Sequence, residues 1–160
     1  MSKLLEIADL HVSFGSGARE IQAVRGVSVQ IAKGESVALV GESGSGKSVT
    51  ALSVLQLLPY PLASHPGGSV RFQGEELIGA PDFRLRAIRG DRISMIFQEP
   101  LTSLNPLHSV EHQINETLIL HKNMNRDQAR ARVLELMELV GSDELTDRLG
   151  ALPHELSGGQ

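Results

Sequence analysis

The chain contains no cysteine and no tryptophan, and aromatic residues make up only 3% of its 160 residues. The absence of cysteine excludes disulfide bonds and any zinc, iron–sulfur or thiol chemistry that depends on cysteine within these residues. With so few aromatic residues, the hydrophobic core must be built mostly from leucine, valine, isoleucine and alanine. The sequence therefore predicts an aliphatic core without covalent cross-links.

Long apolar runs and an excess of positive charge are missing as well. The most apolar stretch, Val49–Ala63, contains Thr50, Ser53 and Gln56 and is interrupted by two prolines, so it does not fit a membrane-spanning helix. The first residues lack the apolar run of a secretory signal peptide. Fifteen basic residues against nineteen acidic ones give a net charge of −4, which argues against a broad nucleic-acid-binding surface.

The first part of the chain is rich in strand patterns. Apolar and polar residues alternate roughly over Leu5–Phe14, and Ile21–Ile31 is a second strand region with clean alternation from Val27 to Ile31. Ser69–Gln73 is a further short strand. Ser36–Val40 is apolar without alternation, which is typical of a strand buried on both faces. Ile93–Phe97 is predicted as another apolar strand.

Helical patterns dominate the rest. A helix is predicted over Lys47–Leu58, where two prolines stop it. Asn125 and Gln128 have the spacing of a capping box, and Gly141 is placed to follow the C-terminus of that helix. The apolar residues expected on one face of this helix are Ala129, Val133, Leu136, Met137 and Val140. Strands followed by helices predict an α/β core with an inserted helical subdomain.

A glycine-rich segment between the predicted strand at residues 36–40 and the next helix carries the clearest chemistry. Gly41–Ser48 matches the pattern G-x-x-x-x-G-K-[ST]. Glycines let the backbone curl so that successive N–H groups point at phosphate oxygens, and the following helix presents its positive N-terminus to the same anion. In this pattern Lys47 reaches the β- and γ-phosphates and Ser48 offers its hydroxyl to Mg²⁺. The segment therefore predicts a nucleotide site.

A second motif competes with it. Residues 108–112 match H-x-x-E-H, in which His108 and His112 would share a helix face and bind zinc while Glu111 acts as a general base. The segment lies where a helix only begins, and the nearby Glu116 is too close in sequence to be an obvious third ligand. We therefore interpret the two histidines as surface residues in the first turns of an amphipathic helix and expect zinc to have no role.

The phosphate loop together with Leu156-Ser157-Gly158-Gly159-Gln160 resembles the ATP-binding subunit of an ABC transporter, whose signature motif is that pentapeptide. The two motifs occur in the family's order, and the resemblance covers the whole chain. It implies an α/β fold with a RecA-like P-loop NTPase core, an N-terminal antiparallel β subdomain and an inserted α-helical subdomain. Residues 1–98 would then form the β subdomain and the phosphate-loop half of the core, and residues 99–160 the helical subdomain.

The resemblance also implies roles for single residues. Phe14 matches the aromatic residue that stacks on adenine, although a core phenylalanine on a strand is equally compatible with its position. Gln98 matches the Q-loop glutamine, which contacts Mg²⁺ and the attacking water and links the two subdomains. The expected contacts to ATP are made by Gly41, Glu42, Ser43, Gly44, Ser45, Gly46, Lys47, Ser48 and Val49. The expected contacts to the ATP of a second domain are made by Ser157, Gly158, Gly159 and Gln160.

Glu99 follows an apolar run and resembles a catalytic glutamate after a Walker B strand. The family places Walker B after the signature motif, so we reject that assignment. The resemblance implies that the chain is an N-terminal fragment truncated at the signature, without the Walker B aspartate, the catalytic glutamate, the D-loop or the switch histidine. We expect the complete protein to be a transport-coupled ATPase and the fragment alone to be inactive.

Two segments point to a branch of the family. Gly41–Ser48 and Gln98–Pro106 are similar to those of the peptide/nickel importers, which include dipeptide, oligopeptide and microcin C uptake ATPases. The implied partners are a second ABC ATPase domain arranged head to tail, integral membrane permease subunits and, indirectly, a periplasmic or extracellular substrate-binding protein. The implied location is peripheral, on the cytoplasmic face of the inner membrane, with no nucleic acid bound.

Two other functions stay open at this point. ABC ATPases of DNA repair or chromosome structure carry long coiled coils or cysteine-bound zinc modules between the two motifs. The stretch between Ser48 and Leu156 is too short for such coiled coils and has no cysteine. The other alternative is a nucleotide-binding module without catalysis.

Overall fold

A computed structural model describes residues 3–97 and 104–156 of the chain. Backbone contacts divide the chain into two units, Met1–Arg89 and Gly90–Gln160, each of which is described by itself below. The boundary predicted between residues 98 and 99 falls at residues outside the described part and stays a prediction.

The first unit is built on an antiparallel sheet. Its strands are β1 (Lys3–Phe14), β2 (Ile21–Ala32), β3 (Ala63–Phe72) and β4 (Glu75–Glu76), in the spatial order β2-β1-β3-β4. Strand β1 lies between β2 and β3, so that Ile7 pairs with Val29 on one side and with Val70 on the other. The strands predicted at Leu5–Phe14, Ile21–Ile31 and Ser69–Gln73 are confirmed, although β3 begins at Ala63 and not at Ser69.

Two helices accompany this sheet. Helix α1 (Lys47–Val54) packs against β1 and β2, and helix α2 (Asp82–Ile88) follows β4. The buried hydrophobic residues of this unit are mostly aliphatic, as predicted, with Phe72 as a buried aromatic residue; the aliphatic ones include Ile7, Leu10, Val12, Val24, Val54 and Val70. The hydroxyls of the buried Thr50 and Ser53 on α1 each donate to a backbone oxygen one turn earlier, so their burial leaves no polar group unsatisfied.

Two predicted strands are not formed. Ser36–Val40 has no strand structure and the side chain of Val40 is 93% exposed; within Ile93–Phe97 only Ile93 makes a β-bridge, and Ile96 is 96% exposed. A strand buried on both faces needs a hydrogen-bonding neighbour and covering layers. Within residues 3–97 and 104–156 no strand pairs with either segment. Both strand predictions are therefore wrong for this structure.

The second unit is helical. Helix α3 spans Val110–Lys122 and helix α4 spans Arg126–Leu139, and 3-10 turns follow at Asp143–Arg148 and Pro153–Glu155. Helices α3 and α4 pack together around a small core of Val133, Met137, Leu145 and Leu149, which Ile114, Leu118 and Leu156 flank. In the described part of the chain, no helix has the length and apolar character needed to cross a membrane.

The ends of α4 match their sequence signals. The Asn125 side chain accepts from the backbone N–H of Gln128 at 2.9 Å, and the Gln128 side chain accepts from the backbone N–H of Asn125 at 3.0 Å. This confirms the predicted capping box. Gly141 follows the helix with φ 68°, also as predicted. Val140, however, is 66% exposed, because it caps the helix and lies beyond the turn that faces the core.

Candidate phosphate-binding site

Residues 41–46 form the turn that leads into α1. Gly46 is the N-cap of the helix with φ 88°, and Gly44 has φ 81°, both in the left-handed region that favours glycine. The backbone N–H of Ser45 donates to the carbonyl of Glu42 at 3.2 Å, which curls the loop. Of the two glycines that the motif requires, Gly46 has a left-handed backbone and Gly41 does not, while Gly44 adopts a left-handed backbone at a position where the motif allows any residue.

Gly46 is also constrained by its neighbours in space. A Cβ atom on Gly46 would lie 2.7 Å from the carbonyl oxygen of Ala23 and 3.3 Å from a methyl group of Val24. Both neighbours belong to β2. The loop can therefore approach the sheet this closely only because residue 46 has no side chain.

Lys47 ties the loop together. Its Nζ donates to the carbonyl oxygens of Gly41 at 2.8 Å and Glu42 at 2.6 Å, and to Ser45 Oγ at 3.2 Å. An ammonium group has three N–H donors, and each of these oxygens can accept one of them. The structure thus holds a positive charge against the loop whose glycines the motif requires.

The first turn of α1 adds further donors. Gly46 has no side chain that could cap the helix, and the first turn carries no acidic residue. The backbone N–H of Thr50 is the first to bond back to the N-cap carbonyl, at 2.8 Å. The preceding N–H groups have no partner within the helix and point towards its N-terminus, which is the positive end of the helix dipole. This arrangement, with the Lys47 ammonium beside it, suits a polyanion such as a phosphate chain.

The other predicted contact residues fall in the same segment. Glu42, Ser43 and Ser45 are exposed in the loop, Ser48 is exposed in the first turn of α1, and Val49 is half-buried there. Their direct contacts with a nucleotide stay predictions.

Phe14 lies at the last position of β1, where its backbone pairs with Ile21 of β2 and Ala63 of β3. The side chain is partly buried, so the structure is compatible with both the adenine-stacking role and the core role. Gln98 and residues 157–160 lie outside the described residues, and their predicted roles stay predictions.

Helix α1 ends earlier than its sequence predicts. It stops at Val54 and not at Leu58, and Gln56 then adopts a left-handed φ of 50°. The backbone N–H of Leu57 donates to the carbonyl of Leu52 at 3.0 Å, and that of Gln56 to Ser53 at 3.1 Å. These two bonds form a Schellman motif, which closes the helix before the prolines are reached.

Sequence reasoning missed Arg89, which stabilises this same end of α1. Its guanidinium donates from Nε to the carbonyl of Leu55 at 2.9 Å and from Nη2 to that of Gln56 at 2.8 Å. Nothing in the spacing of the sequence connects Arg89 with a helix so far upstream. Only the tertiary fold places Arg89, at the end of α2, beside the end of α1.

The competing histidine motif does not gather a third ligand. Helix α3 begins at Val110 with Ser109 as its N-cap, so His108 precedes the helix and His112 lies in its first turn. The two imidazole rings stack with centroids 4.6 Å apart. Over residues 3–97 and 104–156, no group of three histidine, cysteine or acidic side chains could hold a metal ion.

Comparison with known proteins identifies the family. The model of the ABC transporter family matches residues 24–160, which include the phosphate loop, α1 and both helices of the second unit. The chain belongs to the ABC transporter family. The fold agrees, because this ABC domain matches the dimeric structure of the ATP-binding cassette MJ0796 bound to ADP and Pi with a TM-score of 0.80 and 28% identity. That match covers 98% of this chain and 64% of the other.

Sequence relatives carry transport names. The ABC domain is 57% identical over 157 residues to the peptidoglycan transport ATP-binding protein YejF of Agrobacterium fabrum. It is 46% identical over 159 residues to the dipeptide transport ATP-binding protein DppD of Bacillus subtilis, and 43% identical over 159 residues to OppD, the oligopeptide transport ATP-binding protein of that organism. These alignments cover 98–99% of this chain but span only 29%, 48% and 44% of the respective relatives.

Proposed function

We propose that these 160 residues are the nucleotide-binding part of an ATP-hydrolysing subunit that powers import of peptides or related compounds through a membrane permease. The observation that carries the ATP assignment is the Lys47 ammonium held against the glycine loop at the open end of α1. The import assignment is supported by the family match and by the relatives named for dipeptide, oligopeptide and peptidoglycan transport.

The residues present fit ATP and Mg²⁺. The unpaired N–H groups of the first turn and the Lys47 ammonium are donors for phosphate oxygens, and the exposed Ser48 supplies a hydroxyl of the kind that binds Mg²⁺ in such loops. Mg²⁺ neutralises phosphate charge and supplies electrostatic stabilisation when bound. The loop backbone is already folded, so phosphate binding requires mainly that the Lys47 ammonium exchange its hydrogen bonds to Gly41, Glu42 and Ser45 for bonds to phosphate oxygens.

Other residues complete the proposal. Phe14 stacks on the adenine ring, and Gln98 couples hydrolysis to the helical subdomain more than it contributes to affinity. Ser157–Gln160 close over the ATP of a second ABC domain arranged head to tail. We assign hydrolysis to the complete protein, since the family's catalytic glutamate is not among these residues, and expect the 160-residue chain to bind ATP without turnover.

The proposed partners follow from the same assignment. The subunit pairs with a second ABC domain and docks from the cytoplasmic side onto integral membrane permease subunits. A substrate-binding protein outside the membrane delivers the peptide to the permease. The protein is peripheral to the membrane and binds no nucleic acid.

The ATP assignment is tested by calorimetric titration of the 160-residue chain with Mg-ATP. We expect binding by the wild-type chain and a loss of about ten- to a hundredfold in affinity for Lys47→Ala, because charge-assisted hydrogen bonds contribute about 1.5–3 kcal/mol. Lys33→Ala, which removes an exposed lysine in the turn after β2, is the control and should bind normally. Equal affinity of the wild type and Lys47→Ala would contradict the assignment.

The import assignment needs a test in cells. A chromosomal Lys47→Ala change should abolish uptake of labelled di- and oligopeptides while leaving the protein at its normal level. Unchanged peptide uptake in that strain would reject the peptide importer and leave the ATP assignment standing.

A further inference from the structure

The C-terminal end of α1 is held by an arginine from another helix. Arg89 is the C-cap of α2, and two of its guanidinium nitrogens donate to the carbonyls of Leu55 and Gln56 at 2.9 and 2.8 Å. Its third nitrogen, Nη1, lies 3.8 Å from Asp82 Oδ1. All three nitrogens thus face an oxygen, and the side chain is only 28% exposed. The guanidinium group is therefore fixed in position and orientation.

A series of side-chain hydrogen bonds also stabilises the C-terminal end of α1. Gln56 Nε2 donates to the carbonyl of Ser53 at 2.6 Å, and Gln56 Oε1 accepts from the Tyr60 hydroxyl at 3.1 Å. The Tyr60 oxygen lies 3.4 Å from Nδ1 of His65 in β3. These bonds hold Gln56 in its left-handed conformation. The carbonyl of Gln56 is one of the two that Arg89 binds.

Helix α1 depends on such anchoring because it is short. It has eight residues, about two turns, and helices of this length are unstable without tertiary contacts. Its last carbonyls lack partners within the helix and form its negative pole. The turn after the helix satisfies the carbonyls of Leu52 and Ser53. The Arg89 guanidinium satisfies those of Leu55, the C-cap, and of Gln56, the residue after it, and its charge complements the negative pole. Fraying of one turn would remove about half of the helix.

The opposite end of the same helix is the candidate phosphate site. Lys47 and Ser48 are its first two residues, and Gly46 is its N-cap. Because only two turns separate the ends, fraying at Leu55 and Gln56 also destabilises the first turn, which presents the backbone N–H groups to the phosphate. We propose that Arg89 is a positioning residue for the phosphate loop, which it keeps ordered by anchoring the C-terminus of α1. This inference rests on the proposed nucleotide binding.

The test compares Arg89→Met, Arg89→Lys and Arg84→Met in the 160-residue chain. Methionine removes the charge and both donors, whereas lysine keeps the charge but reaches one carbonyl at a time. Arg84→Met is the matched control, because Arg84 lies on the same helix and its Nε donates to Glu75 at 2.8 Å, away from α1. Each variant is titrated with Mg-ATP at a temperature where circular dichroism shows it folded, and amide hydrogen exchange is followed at Thr50 and Leu57.

We expect Arg89→Met to weaken Mg-ATP binding about three- to tenfold, Arg89→Lys to lie between it and the wild type, and Arg84→Met to bind normally. Exchange at Thr50 and Leu57 should accelerate in Arg89→Met while amides of the β1–β3 pairing stay protected. If Arg89→Met does not fold, the graded effect and the local exchange of Arg89→Lys carry the test, because this variant keeps the charge.

The outcomes separate the two proposals. Binding by the wild type with equal affinity in Arg89→Met overturns the positioning role and leaves the nucleotide assignment intact. Equal weakening by Arg84→Met and Arg89→Met also overturns it, because the effect would then be general destabilisation of α2. Failure of the wild-type chain to bind Mg-ATP overturns the nucleotide assignment and the role of Arg89 with it.

Discussion

The Cβ position of Gly46 lies 2.7 Å from the carbonyl oxygen of Ala23, a backbone atom of strand β2. Real Cβ atoms do not approach a backbone oxygen this closely, so a side chain at residue 46 would force the loop and the sheet apart. The phosphate loop is thus shaped by the sheet beneath it as well as by its own glycines. This contact distinguishes Gly46 from Gly44, which has a similar backbone conformation but no such neighbour.

Gly46→Ala should destabilise the chain more than Gly44→Ala. Both residues have left-handed φ angles, 88° and 81°, so alanine bears a similar conformational cost at each. A Cβ at Gly44 meets no atom within 4 Å, whereas one at Gly46 meets Ala23. We expect Gly46→Ala to lower the free energy of unfolding by about 1–3 kcal/mol more than Gly44→Ala, measured by urea unfolding. Equal losses for the two variants would mean that the loop moves away from β2 at no cost.

Phe14→Leu distinguishes the two roles left open for this side chain. If Phe14 stacks on adenine, leucine should weaken ATP binding at least several-fold, because stacking on an aromatic ring contributes about 1–3 kcal/mol per base. Binding of inorganic triphosphate, which has no base, should not change. The measurement is a pair of titrations with Mg-ATP and magnesium triphosphate. Equal effects on both ligands, or none on either, would assign Phe14 to the core.

Asn125→Ala should unfold the second unit at lower denaturant concentration. The substitution removes the acceptor for the Gln128 N–H, and loss of an N-cap of this kind costs about 1 kcal/mol. Asn125→Ser keeps an N-cap acceptor and should restore most of the stability. Urea unfolding followed by circular dichroism measures the effect. A serine variant as unstable as the alanine variant would show that the side chain acts through another contact.

The stability of the first unit should fall as the pH drops below neutrality. Burial lowers the pKa of His65 from its ordinary value of 6.5, so the unfolded chain takes up a proton there before the folded one does. The free energy of unfolding therefore falls as the pH decreases through 6.5 towards the lower pKa of the folded state, and then levels off. Tyr60, beside His65, has its pKa raised by burial and titrates far above this range.

His65→Gln should remove that part of the pH dependence, measured as urea unfolding between about pH 7.5 and 5. His154→Gln, at an exposed position, is the control and should keep it. The pKa of Asp91 is lowered by its hydrogen bond to Lys122, so its contribution is lost only below its ordinary value of 3.8, outside this window. An unchanged slope in His65→Gln would show that another group governs stability in this range.

Local patterns in the sequence were sufficient to predict much of the phosphate site and several of the elements around it. The glycines and lysine of residues 41–48 predict the loop, the start of α1 and the Lys47 cation, because each depends on backbone geometry within a few residues. The capping box at Asn125 and the glycine at 141 were predictable for the same reason. The alternation in β1 and β2 predicts strands because an antiparallel sheet buries one face of each.

Tertiary structure decided the features that depend on partners distant along the chain. Ser36–Val40 and Ile93–Phe97 have the composition of buried strands, but a strand forms only where another strand accepts its hydrogen bonds. The end of α1 at Val54, the contact of Arg89 with Leu55 and Gln56, and the approach of Gly46 to Ala23 all join segments that no sequence period relates. Local sterics and helix capping are determined by residues that are neighbours in sequence. Strand pairing and the anchoring of a helix end depend on which surfaces meet when the chain folds.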